Sequence, residues 1–396
     1  MRSIAIAALC GTLLLLVGSC VEDNKLNQKL PASAIGGGGL LQPNPLHVIA
    51  KGFDHSLALK NDGTLWGFGG NTFGQLGVNT GKISHYTPVQ ASGSNWRSIG
   101  AGSLYSVGLQ SDGTLWAWGY NNYGQLGNGT TTNTSTPTQV SGNAGWSSFS
   151  VGWEHTLAIR NDGTLWAWGG NRFGQLGDGT TTPSSTPIQI GTDTNWHSVS
   201  AGVFHTNALK KNGTLWGWGD GSSAGIGILS SFQPPAQIGT DSNWRMVSAG
   251  EYHSLAIKKD GTLWAWGQNF AGGLGDGTNI SKDQPIRIGT DSNWEAVWGG
   301  YQNSFAKKSD GSLWSWGYNW GGELGHGTTT DVSTPTQVGT DTTWQAISSH
   351  GFATVALKKD STLWSWGYNL GGQLGDGTLI SKSLPNQVAG TGWGAP

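Results

Sequence analysis

Short runs of alternating apolar and polar residues, each bounded by turn residues, dominate the chain. A representative stretch contains such runs at residues 96–101, 105–109, 114–119 and 136–140. Alternation with a period of two over so few residues predicts β-strands. The step Asn61-Asp62-Gly63 separates two runs and has equivalents further along the chain, as expected for tight hairpins. The pattern therefore predicts units of four short antiparallel strands.

The unit recurs seven times. Its most regular part reads Asp-Gly-Thr-Leu-Trp-Ala-Trp-Gly at 162–169, followed by Gly-Gln-Leu-Gly at 174–177. Measured from the first Trp of each copy, the steps are 50, 50, 50, 48, 50 and 50 residues. Such a period, with Gly and Trp at fixed offsets, is typical of solenoids and propellers. Because closing a ring removes exposed sheet edges, we predict an all-β protein, a seven-bladed β-propeller with four-stranded antiparallel blades, over residues 46–396.

A further Trp opens each unit except the first. These residues are Trp96, Trp146, Trp196, Trp244, Trp294 and Trp344, whereas the first unit has Leu46 or His47 at this position. Trp393 follows the last complete unit, close to the end of the chain. We therefore predict that Trp393 packs where the first unit lacks its own Trp, and that it closes the ring.

Composition adds to this picture. Gly accounts for 67 of the 396 residues and charged residues for only 11%. Within a repeat, so many glycines indicate turns and bulges between short strands, and the 23 Trp can supply the core. The formal net charge is −2, and the Lys and Arg residues form no cluster. Nucleic acid is therefore not an expected partner, since phosphate-backbone binding needs a basic patch.

The first 45 residues differ from the rest. Arg2 precedes an apolar run at 4–17, which is typical of an export signal. The run ends Val17-Gly18-Ser19-Cys20, which resembles the lipobox of bacterial lipoproteins and implies cleavage before Cys20 and lipidation of its thiol. An ordinary secretory signal with an incidental Cys is the alternative. We assign 1–19 as a lipoprotein signal peptide and 20–45, with its Gly36–Gly39 run and prolines, as a flexible tether.

The repeats resemble those of the regulator-of-chromosome-condensation family. The matching segments are His-Ser-Leu-Ala-Leu at 55–59, the Asp-Gly-Thr-Leu-Trp hairpin, the Trp-Gly-X-Asn turn and the Gly-Gln-Leu-Gly bend. The resemblance implies a seven-bladed β-propeller. It does not carry over the nucleotide exchange or nucleosome binding of the founding member, because no residue here can be matched to that exchange interface and the surface is not basic.

Candidate chemical groups are few. Four histidines share one strand position, namely His55, His155, His205 and His253. One per blade places them too far apart to share a metal ion, so we expect each imidazole to bond to backbone within its own blade. The aspartates of the Gly-Asp-Gly-Thr steps, at 178, 276 and 376, are expected to be turn residues rather than calcium ligands. With no paired carboxylates, nucleophile elbow or phosphate loop, we predict no enzyme, metal or cofactor, and a propeller hydrolase is a remote alternative.

Two positions vary from unit to unit and are rich in aromatic residues. The first follows the Gly after the first strand, and the second follows Trp-Gly, as at Tyr123 and Phe173. Equivalent positions of a propeller lie on a ring around one face, where aromatics either seal the core or bind a partner. The candidate binding residues are Phe53, Trp153, Glu154, Phe204, Tyr252, Tyr301 and Phe352. We expect Trp153, Phe204 and Tyr252 to form a surface hot spot whose truncation spares stability.

These observations predict a non-catalytic binding scaffold that is exported and anchored by lipid to a bacterial membrane, at the outer membrane or cell surface. The predicted partner is a protein. Carbohydrate is the alternative, because aromatic platforms with Asn and Asp also suit sugar faces. Membrane contact is expected through the lipid anchor only.

Overall fold

The computed structural model describes residues 47–78, 81–142, 144–227 and 234–395. These residues form seven four-stranded sheets, and within each sheet the strands follow one another in chain order. Every pairing is antiparallel, as in Thr156↔Trp168 and Trp166↔Gln189 of the third sheet. The predicted seven-bladed propeller is thus confirmed. The predicted signal peptide, the tether and Cys20 lie outside the described residues.

The first four blades contain sixteen strands. Blade 1 has β1 (Ile49–Lys51), β2 (His55–Leu59), β3 (Leu65–Gly69) and β4 (His85–Gln90). Blade 2 has β5 (Trp96–Ala101), β6 (Tyr105–Gln110), β7 (Leu115–Gly119) and β8 (Thr134–Gln139). Blade 3 has β9 (Trp146–Val151), β10 (His155–Arg160), β11 (Leu165–Gly169) and β12 (Ser184–Gln189). Blade 4 has β13 (Trp196–Ala201), β14 (His205–Lys210), β15 (Leu215–Gly219) and β16 (Ala236–Gln237).

The last three blades contain twelve strands. Blade 5 has β17 (Trp244–Ala249), β18 (His253–Lys258), β19 (Leu263–Gly267) and β20 (Lys282–Ile288). Blade 6 has β21 (Trp294–Gly299), β22 (Asn303–Lys308), β23 (Leu313–Gly317) and β24 (Val332–Gln337). Blade 7 has β25 (Trp344–His350), β26 (Ala353–Lys358), β27 (Leu363–Gly367) and β28 (Lys382–Gln387).

The first strands lie at the centre of the ring and the fourth strands at its rim. First strands of neighbouring blades contact one another, as β1 does with β5 and β25. They are almost fully buried, whereas fourth strands such as β8 and β12 alternate between half-buried and exposed residues. The hydrophobic core therefore lies between the blades, and each of its clusters combines residues of neighbouring blades.

The repeated tryptophans hold neighbouring blades together. Trp118 of blade 2 donates its indole N–H to the Gln75 carbonyl of blade 1 at 2.9 Å, and Trp168 repeats this contact with Gln125 at 3.0 Å. Both acceptors belong to the Gly-Gln-Leu-Gly bend. The bend and the second Trp of the motif are therefore two halves of one contact between blades, which explains why they recur together.

Blade 4 differs from the other blades in this bend. A single helical turn, α1 (Gly221–Ala224), lies there, capped by the Asp220 side chain, which accepts from the Ser223 backbone N–H. The Trp266 indole N–H of blade 5 has no hydrogen-bond partner among the described residues. Loss of the usual bend thus removes the contact that its carbonyl makes in other blades. In the described part of the chain, no helix is long and apolar enough to span a bilayer.

Trp393 closes the ring as predicted. It pairs with Lys60 of blade 1, just as Trp146 pairs with Arg160 at the start of blade 3. The backbone N–H of Gly394 donates to the Leu59 carbonyl at 2.9 Å. The Trp393 side chain is 1% exposed and packs edge to face on Trp66, with ring centroids 6.2 Å apart. The end of the chain thus supplies the first position of blade 1.

Candidate binding face

Two sets of segments meet at one end of the ring, which we call the aromatic face. They are the inner turns, between the first and second strands, and the outer loops, between the third and fourth strands. The inner turns are joined by backbone hydrogen bonds from blade to blade, as from Phe53 N–H to Ser103 O at 3.2 Å and from Glu251 N–H to Gly300 O at 2.9 Å. The opposite end, built from the hairpins between second and third strands, is the hairpin face.

Aromatic side chains of six inner turns form a nearly continuous arc. Trp153 and Phe204 are stacked at 13° with centroids 5.9 Å apart, and Tyr301 and Phe352 meet edge to face at 5.2 Å. The remaining neighbours, Phe204–Tyr252, Tyr252–Tyr301 and Phe352–Phe53, are 6.1–6.5 Å apart. We call these six side chains the aromatic arc. Blade 2 interrupts it, because its inner turn carries Ser103 and Leu104.

The arc is less exposed than we expected at one member. Trp153 is only 3% exposed, so it is a core residue and not a surface hot spot. The physical reason is its stacking on Phe204 between two blades, which covers the indole. The other candidate residues are half-buried: Phe53, Glu154, Phe204, Tyr252, Tyr301 and Phe352. The expectation that truncating Trp153 spares stability does not fit this burial, because losing a buried aromatic leaves a cavity.

The outer loops carry the more exposed apolar side chains. Phe270, Trp320 and Leu370 occupy equivalent positions in blades 5, 6 and 7 and are 68%, 61% and 63% exposed. Trp320 lies beside Phe352 of the arc, with centroids 6.3 Å apart, and stacks on Tyr368 at 5.9 Å. Arc and outer loops therefore form one apolar surface over blades 6 and 7.

A third aromatic position was missed in the sequence. Tyr120, Tyr318 and Tyr368 directly follow Trp-Gly, and all three contact other aromatics of this face. The signal was the triplet Trp-Gly-Tyr, present in three units and replaced by Gly, Asp or Gln in the others.

A cleft of about 440 Å³ opens on the aromatic face over blade 3. Its lining includes Tyr123, Trp153, Glu154, Arg172, Phe204 and Tyr252. The three side chains that we predicted to act together, Trp153, Phe204 and Tyr252, do meet here. Tyr123 comes from the outer loop of blade 2 and is 37% exposed.

The Glu154 carboxyl of this cleft is electrostatically unusual. Burial raises its pKa to about 7, although the positive charge of Arg172 opposes the shift. Among the described residues, no hydrogen-bond donor to this carboxyl lowers its pKa. Arg172 is exposed and lies over the Phe173 ring at 5.4 Å. The cleft thus holds an unpaired acid at its base and an arginine at its rim.

The histidines join neighbouring blades, and our expectation of bonds within one blade is wrong. His155 Nε2 is 3.2 Å from Thr206 Oγ1 of the next blade, and His253 Nε2 is 2.8 Å from Ser304 Oγ. His55 and His205 make the same contact at 3.0 Å. The rings point across the junction because the Gly opposite each ring has no side chain: a Cβ at Gly152 would overlap the His155 imidazole.

Blade 7 exchanges these two residues. His350 stands where the other blades have this Gly, and Ala353 stands where four of them have His. The His350 imidazole is fully buried, and its Nε2 lies 3.0 Å from Glu251 Oε1 of blade 5. Burial raises the pKa of Glu251 and lowers the pKa of His350, which favours the neutral form of each side chain. This pair links blades 5 and 7 and has no access to solvent.

The predicted turn aspartates are turn residues. Asp178 accepts from the Thr180 backbone N–H at 2.9 Å and from the Asn171 side chain at 3.0 Å, and Asp276 and Asp376 repeat the pattern. The described residues contain no group of three or more His, Cys, Asp or Glu placed to hold a metal ion.

Sequence comparison identifies the family. Residues 148–394 match the RCC1-like domain, and residues 49–75, 96–125 and 112–159 match the regulator of chromosome condensation (RCC1) repeat. No curated protein sequence matches the chain significantly.

Solved structures share the fold. Prp20p from Saccharomyces cerevisiae, described with its binding to Gsp1p and histones, is 21% identical, with 85% of this chain and 87% of that one covered at a TM-score of 0.74. The yeast RCC1 (Prp20) bound to Kap60 is 19% identical, with 93% of this chain and 91% of that one covered at a TM-score of 0.75. Human WBSCR16 is 21% identical, with 82% of this chain and 93% of that one covered at a TM-score of 0.72. At such identities these structures establish the fold alone. The domain match spans more than half of the chain, and this protein therefore belongs to the RCC1-like domain family.

Proposed function

We propose that this protein is a non-catalytic scaffold that binds a protein partner through its aromatic face. The observation that carries the proposal is that Trp320, 61% exposed, lies beside Phe352 of the aromatic arc, while Phe270 and Leu370 are similarly exposed at the equivalent positions of the neighbouring blades. Scattered exposed apolar residues are ordinary on a soluble protein, but a contiguous patch marks an interaction site. Aromatic side chains at the centre of such patches carry most of the binding energy in protein interfaces.

The relatives support a protein rather than another partner. Prp20p is described as binding Gsp1p and histones, and yeast RCC1 has been crystallised with Kap60. No particular partner is carried over from these proteins, since the identity is near 20%. What supports the proposal is that propellers of this shape present a protein-binding face.

A triple variant tests the scaffold. Phe270→Ser, Trp320→Ser and Leu370→Ser together remove the exposed apolar side chains of three outer loops. Leu384→Ser is the matched control, because Leu384 is 59% exposed on the rim strand β28. Proteins captured from cell-surface extracts by the wild type and the control, but not by the triple variant, are then purified and titrated directly. Equal binding by the triple variant and the wild type would place the binding surface elsewhere. Retention of a polysaccharide instead would favour the carbohydrate alternative.

We propose further that the scaffold works at the bacterial cell envelope, anchored by lipid on Cys20. The support is sequence alone: the apolar run at 4–17 and the position of Cys20 directly after it. A Cys20→Ala variant is expected to leave the membrane fraction. Fractionation that finds the variant still membrane-bound, with no unprocessed precursor, would contradict the anchor without affecting the scaffold.

A further inference from the structure

The acid at the base of the blade 3 cleft has a counterpart in blade 1 that is fully paired. Asp54 occupies the same inner-turn position in blade 1. Gln75 Nε2 donates to its Oδ1 at 3.0 Å, and His55 Nδ1 lies 3.6 Å from the same oxygen. Although burial opposes ionisation, these contacts hold the pKa of Asp54 below its usual range. The Glu154 carboxyl has neither contact, and its pKa is raised instead.

The space around Glu154 is left open by the sequence. Gly170 follows Trp-Gly in blade 3, where Tyr120, Tyr318 and Tyr368 stand in other blades. A Cβ at Gly170 would lie only 3.5 Å from Glu154 Oε2. The cleft above the carboxyl is therefore the volume that a tyrosine fills elsewhere on this face.

We propose that this cleft receives one cationic side chain, a Lys or Arg of the protein partner. The proposal rests on the scaffold function and names the chemistry recognised at one point of it. A carboxylate that has no hydrogen-bond donor among the described residues favours a cation that can donate hydrogen bonds to it. The half-buried rings of Phe204 and Tyr252 along the walls also attract a cation, through their ring quadrupoles.

Arg172 limits what can enter. Four of the five arginines of the described chain have structural contacts. Arg97, Arg245 and Arg287 donate to backbone carbonyls, and Arg160 lies between Trp146 and Trp166. Arg172 lines the cleft instead. Its positive charge at the rim disfavours a second cation beside the first. The cleft therefore fits a single basic side chain and not a polybasic segment.

A pair of small probes tests the site without knowledge of the partner. N-acetyl-arginine methylamide and N-acetyl-citrulline methylamide have nearly the same shape, but only the first is charged. Saturation-transfer NMR on the full chain is expected to detect the arginine probe and to give little signal for citrulline. Glu154→Gln should weaken arginine binding about tenfold or more, the effect of losing a hydrogen bond to a charged group. Asp283→Asn, which removes an exposed carboxylate of β20 outside the cleft lining, should leave it unchanged.

The pH dependence provides a second readout. Binding of the arginine probe should strengthen from pH 6 to pH 8, because the carboxyl must be ionised to pair and its pKa is about 7. Arg172, Tyr123 and Tyr252 are the other titratable groups lining the cleft, and Tyr105 and Tyr120 of blade 2 also interact with the Glu154 charge. Glu154→Gln should abolish the dependence if Glu154 causes it.

The outcomes separate this proposal from the scaffold function. Equal signals for arginine and citrulline, or undiminished arginine binding by Glu154→Gln, would overturn the cation site. Signal from a methyl glycoside with none from arginine would overturn it in favour of a sugar. Partner capture that depends on Trp320 and its neighbours could stand in each of these cases, so failure of the cation site leaves the scaffold test intact. Thermal unfolding of Glu154→Gln confirms that the variant is folded.

Discussion

The two ends of the ring are built from the same repeat but differ in how much the repeats vary. On the hairpin face, each blade has the same short network. Asp162 accepts from the backbone and hydroxyl of Thr164, and that hydroxyl accepts from the Trp166 indole at 2.9 Å. Every other blade has an equivalent, with Asn212 or Ser312 as occasional replacements. On the aromatic face, inner turns and outer loops change residue from blade to blade.

The hairpin face has a second constant feature. In six blades a Lys or Arg at the end of the second strand lies over two Trp rings, as Lys358 does over Trp344 at 4.6 Å and Trp364 at 3.6 Å. In blade 7, Trp344 opens the first strand and Trp364 is the second residue of the third strand, so the contact fixes how the first strand joins its blade. In these six blades, loss of the cation is expected to lower stability. At the outer-loop tips of blades 5, 6 and 7, by contrast, Phe270, Trp320 and Leu370 stay exposed, which leaves them available for binding.

Removal of Trp393 should have the largest effect on the hairpin face. Truncation after residue 390 removes Trp393, the one Trp of the blade 1 sandwich that comes from the C-terminal segment rather than from blade 1 itself. We expect a loss of about 3–5 kcal/mol in the free energy of unfolding, the range for losing a buried large aromatic. Chemical denaturation of the truncated and full chains measures it. An unchanged midpoint would show that the first blade is complete without the C-terminal segment.

Two glycines with positive φ separate backbone strain from steric overlap on the same face. Gly163 has φ +82, and a Cβ there would overlap the Thr194 carbonyl oxygen, whereas Gly191 has φ +64 and open space around it. Gly191→Ala should cost about 1–2 kcal/mol, the price of a left-handed alanine. Gly163→Ala should cost about 1–3 kcal/mol more, since the backbone must also shift. Equal urea midpoints for the two variants would mean that the backbone of the hairpin shifts to accommodate the new Cβ at no measurable cost.

The sequence was sufficient for the features that recur and insufficient for those that depend on the neighbouring blade. Period, strand pattern and the role of Trp393 could be predicted because each follows from spacing within one chain. The histidine contacts could not be predicted. The spacing of the histidines along the sequence is the same whether each ring faces its own blade or crosses to a residue of the next blade, such as Thr206. The burial of Trp153 likewise depends on Phe204, and the unpaired state of Glu154 depends on which donors the described parts of adjacent loops supply.

One exchange was visible in the sequence without being understood. His350 and Ala353 swap the large and small residues of the other blades, and the swap makes sense only once the imidazole is seen to lie over the Gly. It also shows that the aromatic face is constrained close to the first strands at the centre of the ring. There, two residues vary together rather than independently.

A double-mutant cycle tests this constraint. Ala353→His should cost about 1–3 kcal/mol in the wild type, because the new imidazole overlaps the His350 side chain in a packed site. In a His350→Gly background, which restores the usual Gly, the same change should cost clearly less. Measuring the cost in both backgrounds cancels the separate effect of losing the contact between His350 and Glu251. Equal costs of Ala353→His in the two backgrounds would mean that the two positions are independent, and the proposed constraint between them would then be wrong.

The smallest expected effect lies at the tip of an outer loop. Trp320 is 61% exposed, and Trp316, four residues earlier on β23, is fully buried and donates to the Gly273 carbonyl at 2.8 Å. Trp316→Ala should cost about 3–5 kcal/mol. Trp320→Ala should cost about 1 kcal/mol or less, since it loses only surface contacts with Phe352 and Tyr368. Thermal and urea unfolding of the two variants compare the same residue type within one blade. If Trp320→Ala proved as costly as Trp316→Ala, the outer loop would be sealing the core, and its exposed aromatics would no longer be explained by binding.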